Sequence, residues 1–399
     1  MERKFILVGV SGGIAAFKAC QLVSDLSKQY DVQVIMTKNA CNFVNPITFE
    51  TLTKKKCLID TFDRNFEFKV EHISIAKACD VFVIVPASAN VIAKFANGIA
   101  DDMLSTTMLA CNKPRIICPA MNVNMYENPA TQHNLETLRN YGYTIVEPGV
   151  GYLACGDEAK GRLADLGDIK EAISIALHQD KPLTGKKVVV SAGPTMEAID
   201  PVRYITNHSS GKMGYALARA ARNMGADVTL VSGQTNLTKP YGMTTISVTS
   251  AEDMYQAVVS NQDADIIIKA AAVADYTPVE VATQKVKKSD SDMSIPLKRT
   301  KDILKYLGEN KRSNQVTCGF AMETTNLEEY GKEKLTKKNA DMIVCNNVLV
   351  EGAGFKGDTN VVTIITKDGM KEPIRDTKEN ISYIILEELI SILNAKEGK

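Results

Sequence analysis

Short apolar runs of strand length alternate with amphipathic helical stretches from one end of this 399-residue chain to the other. In the first half the runs fall at 4–10, 32–37, 81–86, 115–119 and 143–147, and helical periodicity falls at 14–28, 89–97, 103–111, 129–140 and 168–178. A run that is apolar on successive residues is a strand buried on both faces, and strands separated by helices lie parallel, joined by right-handed crossovers. The pattern predicts an α/β fold built on a doubly wound parallel sheet. Ligands then sit beyond the carboxyl ends of the strands.

The length exceeds what one core usually serves, so two domains are expected. The polar stretch 178–187 carries Pro182 and Gly185 and is followed by a fresh apolar run. It marks the boundary, giving domains 1–180 and 181–399. The second domain repeats the grammar, with strands at 187–192, 227–231, 265–273, 315–320 and 341–345 and helices near 211–224, 251–260 and 327–339. A hairpin arm at 361–370 and a closing helix at 378–394 complete it.

Forty-seven basic residues balance forty-seven acidic ones, which argues against a nucleic-acid or anionic-membrane partner. Nine cysteines without a Cys-x-x-Cys pair fit neither a zinc site nor a disulfide framework, and no run reaches the ~18 apolar residues of a membrane span. A cytoplasmic location is expected.

Residues 6–19, ILVGVSGGIAAFKA, read as strand, small-residue turn and helix, an arrangement in which backbone N–H groups around Ser11 and Gly12 can approach a phosphate. The dinucleotide fingerprint is absent, because Ser11 stands at the second glycine position and Thr37 ends the next strand where an acid would hold a ribose. A mononucleotide such as FMN fits better than NAD. Ser88 and Asn90 follow the third strand and Asn122 the fourth; His72 precedes the third, and Cys155 lies in a glycine-flanked charged loop. Each fragment alone also suits ordinary turn, cap or core chemistry.

In this order the segments resemble the flavin-containing cysteine decarboxylases, whose fold is flavodoxin-like or Rossmann-like. The resemblance implies FMN held by Ser11, Gly12, Thr37, Ser88 and Asn90, with His72 as base, Asn122 on the substrate carboxylate and Cys155 as proton donor. Such a role for FMN is chemically apt, since oxidation at the thiol side gives the electrons of a departing carbon dioxide somewhere to go. Tyr126, Asp102 and Ala159 depart from the family's usual Trp, Asn and Gly.

In the second half, 188–221 contains Ser210-Gly211-Lys212 but not the remaining P-loop positions, which excludes that class of ATPase. Gly193, Ser209, Ser210 and Gly211 still suggest anion binding, or plain capping, at a helix start. Residues 269–276 (KAAAVADY), 284–288 (QKVKK, a flexible basic loop), 300–304 (TKDIL), 318–324 and 334–347 complete a series that resembles the phosphopantothenate-cysteine ligases. With both halves in this order, the chain is similar to the bifunctional bacterial enzymes that make 4'-phosphopantetheine for coenzyme A. The resemblance implies a Rossmann-like nucleotide-binding ligase domain that uses CTP, Mg²⁺, 4'-phosphopantothenate and L-cysteine. Asn207 and Lys285 would be catalytic, and Ala271, Asp275, Lys285, Thr300, Lys301, Asp302, Ile303, Phe320, Lys334 and Lys338 would contact CTP. Thr300 and Lys301 stand where Asn-Pro or Thr-Pro is frequent. No metal ligands can be assigned. The resemblance also implies a homo-oligomer, a trimer-based decarboxylase core with paired ligase domains that can amount to a dodecamer. The rival readings are a flavin or nucleotide dehydrogenase and a non-enzymatic regulator on the decarboxylase fold.

Overall fold

A computed structural model describes residues 3–63, 71–152, 158–287, 292–323, 327–347 and 357–398. The chain divides into two compact units, Met1–Gln179 and Asp180–Lys399.

In the first unit β1 (Phe5–Val10), α1 (Ala16–Leu26), β2 (Asp31–Met36), α2 (Pro46–Thr53), α3 (Glu71–Ala78), β3 (Val81–Ala87) and α4 (Ala89–Ala96) come first. They are followed by α5 (Met103–Ala110), β4 (Arg115–Pro119), α6 (Val123–Glu127), α7 (Pro129–Asn140) and β5 (Thr144–Ile145). A hairpin, β6 (Gly149–Tyr152) and β7 (Glu158–Arg162), and then α8 (Leu166–Leu177) close the unit. The sheet is parallel throughout, in the order β2-β1-β3-β4-β5. This is the flavodoxin-like order, and the order of strand addition reverses between β1 and β3, where a crevice opens at the carboxyl ends. Every residue of β3 is buried, as its unbroken apolar run requires. The strand expected over 143–147 pairs at Thr144 and Ile145 only. Val146 N–H still reaches the Ile117 carbonyl, but Glu147 turns away to three polar partners and Pro148 has no N–H to give.

The second unit comprises β8 (Lys187–Ala192), β9 (Met196–Ala198), β10 (Tyr204–Thr206), α9 (Lys212–Asn223), β11 (Asp227–Ser232), β12 (Thr244–Ser247) and α10 (Ala251–Val259). Next come β13 (Ile266–Lys269), β14 (Tyr276–Pro278), β15 (Leu297–Arg299), α11 (Ile303–Asn310), β16 (Val316–Glu323) and α12 (Leu327–Lys337). The last elements are β17 (Met342–Asn347), β18 (Thr359–Thr366), β19 (Gly369–Met370), β20 (Ile374–Thr377) and α13 (Lys378–Glu397). The main sheet runs β12-β11-β8-β13-β16-β17-β18, parallel as far as β17, with antiparallel β18 carrying both β19 and β20 on its far side. The parallel part has the Rossmann order, whose switch point falls between β8 and β13.

The apolar run 265–273 leaves the sheet at Lys269, four residues before the expected end. There the chain crosses to the end of β8 instead, Ala272 N–H donating to Gly193 O at 2.9 Å and Thr195 N–H to Ala272 O at 3.3 Å. Gly214 in α9 permits this crowding: a Cβ there would lie 2.5 Å from that of Ala192. Leu183, inside the expected linker, is fully buried in the core of the second unit. No helix among the described residues is long and apolar enough to cross a membrane.

Candidate functional sites

At the first switch point Ser11 is fully buried and joins two strand ends. Its hydroxyl donates to Pro86 O and accepts from Ser88 N–H, both at 2.8 Å. Thr37 is fixed to the same edge by its N–H, 3.0 Å from Val10 O, while its hydroxyl accepts from Ala40 N–H. The N–H groups of residues 12–15, which lead into α1, find no acceptor among the described residues. A Cβ on Gly12 would lie 2.7 Å from that of Asn39, whereas Gly13 faces open space. Such unsatisfied donors at a helix start fit a phosphate. Ser88 begins α4 without capping it, and Asn90 is exposed on its first turn. Ser11, Gly12, Thr37, Ser88 and Asn90 thus share one sheet edge.

Asn122 caps α6, its Oδ1 accepting from Asn124 N–H at 2.9 Å. The hairpin β6–β7 docks beside it, for Met121 N–H donates to Gly161 O at 3.0 Å. Cys155 lies outside the described residues, between the two arms of that hairpin. His72 is half-buried on the first turn of α3 and makes no hydrogen bond among the described residues.

Two of the departing residues have structural work. Asp102 caps α5, accepting from Ser105 N–H at 2.8 Å, and its other oxygen meets Lys94 at 3.0 Å. Burial would raise its pKa, but the Ser105 N–H and Lys94 outweigh burial and hold it below the usual value, so its charge is spent locally. The buried Tyr126 donates to Glu147 at 2.7 Å, and Glu147 also takes Arg139 at 2.6 Å and Lys160 at 2.9 Å. This four-residue knot ties α6, α7 and β7, and the sequence offered no sign of it.

The second switch point opens into a cavity of about 510 Å³. One wall is the turn before α9, where Gly211 takes φ +76° and its N–H is 3.3 Å from Ser209 Oγ. A Cβ on Gly211 or on Gly193 would each sit 2.8 Å from Thr235 Cγ2, and both have φ near +75°, which explains both glycines. Asn207 spans the mouth, its Nδ2 donating to the carbonyls of Ala272 and Val273 at 3.3 Å each. Ala271, Asp275, Phe320 and Lys334 line the same space, Lys334 Nζ donating to Phe320 O at 3.1 Å.

Lys338, Thr300, Lys301, Asp302, Ile303 and Lys285 do not line it. Asp302 caps α11 and pairs with Lys338; Ile303 is buried in the core. Thr300 hangs from Ala274 O at 2.7 Å, and Lys301 pairs with Glu252 at 2.7 Å. Lys285 is exposed. The loop carrying it, expected to be flexible, is pinned one residue on, where Asp200 accepts from Val286 N–H at 3.1 Å and Arg203 donates to Val286 O. Asp200 is almost fully buried; burial would raise its pKa, but the N–H groups of Val202, Val286 and Arg203 and the Arg203 guanidinium hold it down at about 2. Residues 288 and 324, the ends of two of the motifs, lie outside the described residues.

Sequence reasoning passed over several polar cavity-lining groups, among them Lys269, Asn346, Asn360 and Lys378. Lys269 was hidden inside an apolar run, although a lysine ending a buried strand was the available signal. Among the described residues no group of three His, Cys, Asp or Glu could hold a metal.

A flavodoxin-like unit with a phosphate-fitting turn, joined to a Rossmann-like unit with a polar switch-point cavity, defines a two-site α/β protein of small-molecule metabolism. Residues 1–178 match the Flavoprotein family, and residues 183–393 match the DNA/pantothenate metabolism flavoprotein C-terminal domain. Among curated proteins, the coenzyme A biosynthesis bifunctional protein CoaBC of Bacillus subtilis (strain 168) is 50% identical over 98% of each chain. The protein of the same name from Haemophilus influenzae is 43% identical, again over 98% of each. A crystal structure of the C-terminal domain of a CoaBC protein is 46% identical, with a TM-score of 0.46, and covers 54% of this chain and 100% of its own. The chain belongs to the family of bifunctional coenzyme A biosynthesis proteins, and its first unit is of the flavoprotein type.

Proposed function

We propose that the second unit condenses 4'-phosphopantothenate with L-cysteine at the expense of CTP, and that the first unit decarboxylates the 4'-phosphopantothenoylcysteine so formed. The observation that carries this reading is the presence, on one chain, of two separate switch-point sites, one with open N–H donors and one a polar cavity.

In the ligation, the carboxylate oxygen of phosphopantothenate attacks the α-phosphorus and the bond to pyrophosphate breaks, leaving an acyl-cytidylate. The cysteine amine then attacks the acyl carbon, CMP leaves, and the amine loses a proton. Asn207, with its amide nitrogen committed to two carbonyls, offers Oδ1 to the substrate. Lys334 and the helix start at Ser209–Gly211 face the phosphate charge, as electrostatic stabilisation requires. Ala271, Asp275 and Phe320 contact CTP in the cavity, whereas Lys285, Lys338 and the backbone of residues 300–303, which stand outside it, would have to approach the nucleotide on binding. Mg²⁺ would enter with the nucleotide and offset its phosphate charge.

FMN, when bound at Ser11, Gly12, Thr37, Ser88 and Asn90, supplies the two-electron oxidation and reduction that make loss of carbon dioxide possible. Asn122 orients the departing carboxylate, His72 takes a proton, and Cys155 returns one to the product carbon. Four large apolar side chains, Ile14, Phe17, Phe43 and Ile47, are each at least half exposed, and α1 and α2, which carry Phe17 and Ile47, pack together. They support self-association of the first unit; the trimeric decarboxylase core, the paired ligase domains that can amount to a dodecamer and the cytoplasmic location follow from the family resemblance alone.

The test is incubation of purified protein with 4'-phosphopantothenate, L-cysteine, CTP and Mg²⁺. CMP, pyrophosphate, carbon dioxide and 4'-phosphopantetheine should all appear. Absence of CMP defeats the ligase half, CMP without carbon dioxide defeats the decarboxylase half, and equal turnover with ATP defeats the choice of CTP.

A further inference from the structure

The cavity of the second unit contains a cation to which none of the roles above gives a task. Lys269 is the last residue of β13, paired with Ser191 of β8 on one side and Gly319 of β16 on the other. Its stem is therefore held by the middle of the sheet while its side chain lines the cavity. Among the described residues its Nζ has no hydrogen-bond or ion-pair partner. Burial, with Lys334 nearby, draws its pKa down to about 8 in spite of Asp302 and Asp275; Lys338 adds to the lowering. A second polar atom is stranded in the same space: Asn346 Oδ1, on β17, is buried and has no hydrogen-bond partner among the described residues.

A half-buried ammonium with no ion-pair partner among the described residues is costly and is retained where a ligand supplies the opposite charge. The cavity also holds Lys334 and Lys378, and Lys212, which pairs with Asp358 at 2.7 Å; against them stand Asp275 in the cavity and the nearby Asp302, already paired with Lys338. That excess of positive charge, added to the helix start at Gly211, matches a polyanion better than a single carboxylate.

We propose that Lys269 holds a phosphoryl group of the activating nucleoside triphosphate from the floor of the cavity. The inference rests on the ligation reading above, and it adds a phosphate-binding residue to that site. The affinity it lends is present while the lysine is charged and falls as pH rises through its free-state pKa. The charged and titratable groups facing it are Lys334 and Lys338 from α12 and its end, Asp302 from the start of α11, and Asp275 beyond β13. His208, Lys212 and Lys378 border the same cavity.

The experiment measures equilibrium binding of CTP, without phosphopantothenate, to the full-length protein and to Lys269→Met and Lys269→Arg variants between pH 7 and pH 9.5. We expect Lys269→Met to bind at least ~10-fold more weakly at pH 7 and Lys269→Arg to stay within about 3-fold of the parent, as loss of one charge-assisted contact implies. The parent should lose affinity toward pH 9.5, and the Arg variant should lose less. Competitive acylation of lysines in the unmodified protein gives a readout independent of folding in the variants: CTP should slow the labelling of Lys269. Unchanged labelling, or parental affinity and pH profile in Lys269→Met, overturns the inference. Failure of the parent to bind any nucleoside triphosphate would instead overturn the ligation reading itself.

Discussion

Gly161 lies flat against Met121: a Cβ at Gly161 would sit 2.4 Å from the Met121 carbonyl oxygen, while Met121 N–H donates to Gly161 O at 3.0 Å. Because φ at Gly161 is +144°, any side chain is strained there as well as crowded. The contact fixes the arm of the hairpin to the loop that presents Asn122. Gly161→Ala should therefore lower kcat for decarboxylation of supplied 4'-phosphopantothenoylcysteine by ~10-fold or more, the size expected for an ångström-scale misplacement. Ligation, followed as CMP release, should be unchanged; equal loss of both activities would mean general unfolding.

Ser11→Ala removes the hydroxyl that accepts from Ser88 N–H and donates to Pro86 O. Ser88 N–H loses its acceptor, a cost of about 1–3 kcal/mol, while Pro86 O keeps the Ser11 N–H at 3.2 Å. We expect weaker FMN retention, read by flavin fluorescence after gel filtration, together with a lower melting temperature. Unaltered flavin content would show that the turn does not depend on this bridge.

Asn207→Asp keeps the shape but turns two hydrogen bonds into repulsion between a carboxylate and the carbonyls of Ala272 and Val273. CMP release should fall by ~100-fold, a typical loss for a misplaced positioning group. Asn207→Ser should be milder. Decarboxylation of supplied substrate is the internal control, and a ligase rate within twofold of the parent would remove Asn207 from the site.

Asp341 is buried and accepts from Lys396 at 2.6 Å, Lys311 at 3.0 Å and Thr317 N–H at 2.9 Å, joining α13, the end of α11 and β16. Burial would raise its pKa, but these partners outweigh that effect and lower it. Its contribution is therefore present above the unfolded carboxylate pKa of ~4 and is lost as pH falls toward the lowered folded value. Asp341→Ala leaves two half-buried ammonium groups with only their carbonyl acceptors, Asn339 O and Gln315 O, and should cost ~2 kcal/mol. Calorimetry at pH 7 should record a drop of several degrees that narrows at acid pH; a pH-independent difference would refute the linkage.

What could be read in the sequence follows from range. The apolar runs that became β1, β3, β8 and β16 announce themselves because strands buried on both faces need consecutive apolar residues. α2 and α3 were not visible, each being eight residues long with little amphipathic contrast. Ala270–Val273 mimics a continuing strand; its small side chains instead let the chain approach Gly193, a contact between positions 80 residues apart. The knot around Glu147 gathers positions 126, 139, 147 and 160, which share no local pattern. The glycine turns at residues 12 and 211 were legible because phosphate-fitting helix starts demand small residues locally. That Lys285 and residues 300–303 stand off the cavity depends on loop anchors, Asp200 and Ala274, far away in the chain.

The outer side of β18 is divided between β20, opposite Thr359–Val362, and the two-residue β19, opposite Ile365 and Thr366. No long row of free peptide groups is left there for a neighbouring molecule to zip onto, and the flanking strands that do face outward are only two and four residues long. A large, mostly parallel sheet is slow to assemble and vulnerable to runaway self-pairing in crowded solution. Capping its growing end in this way protects the newly made chain against fibre formation.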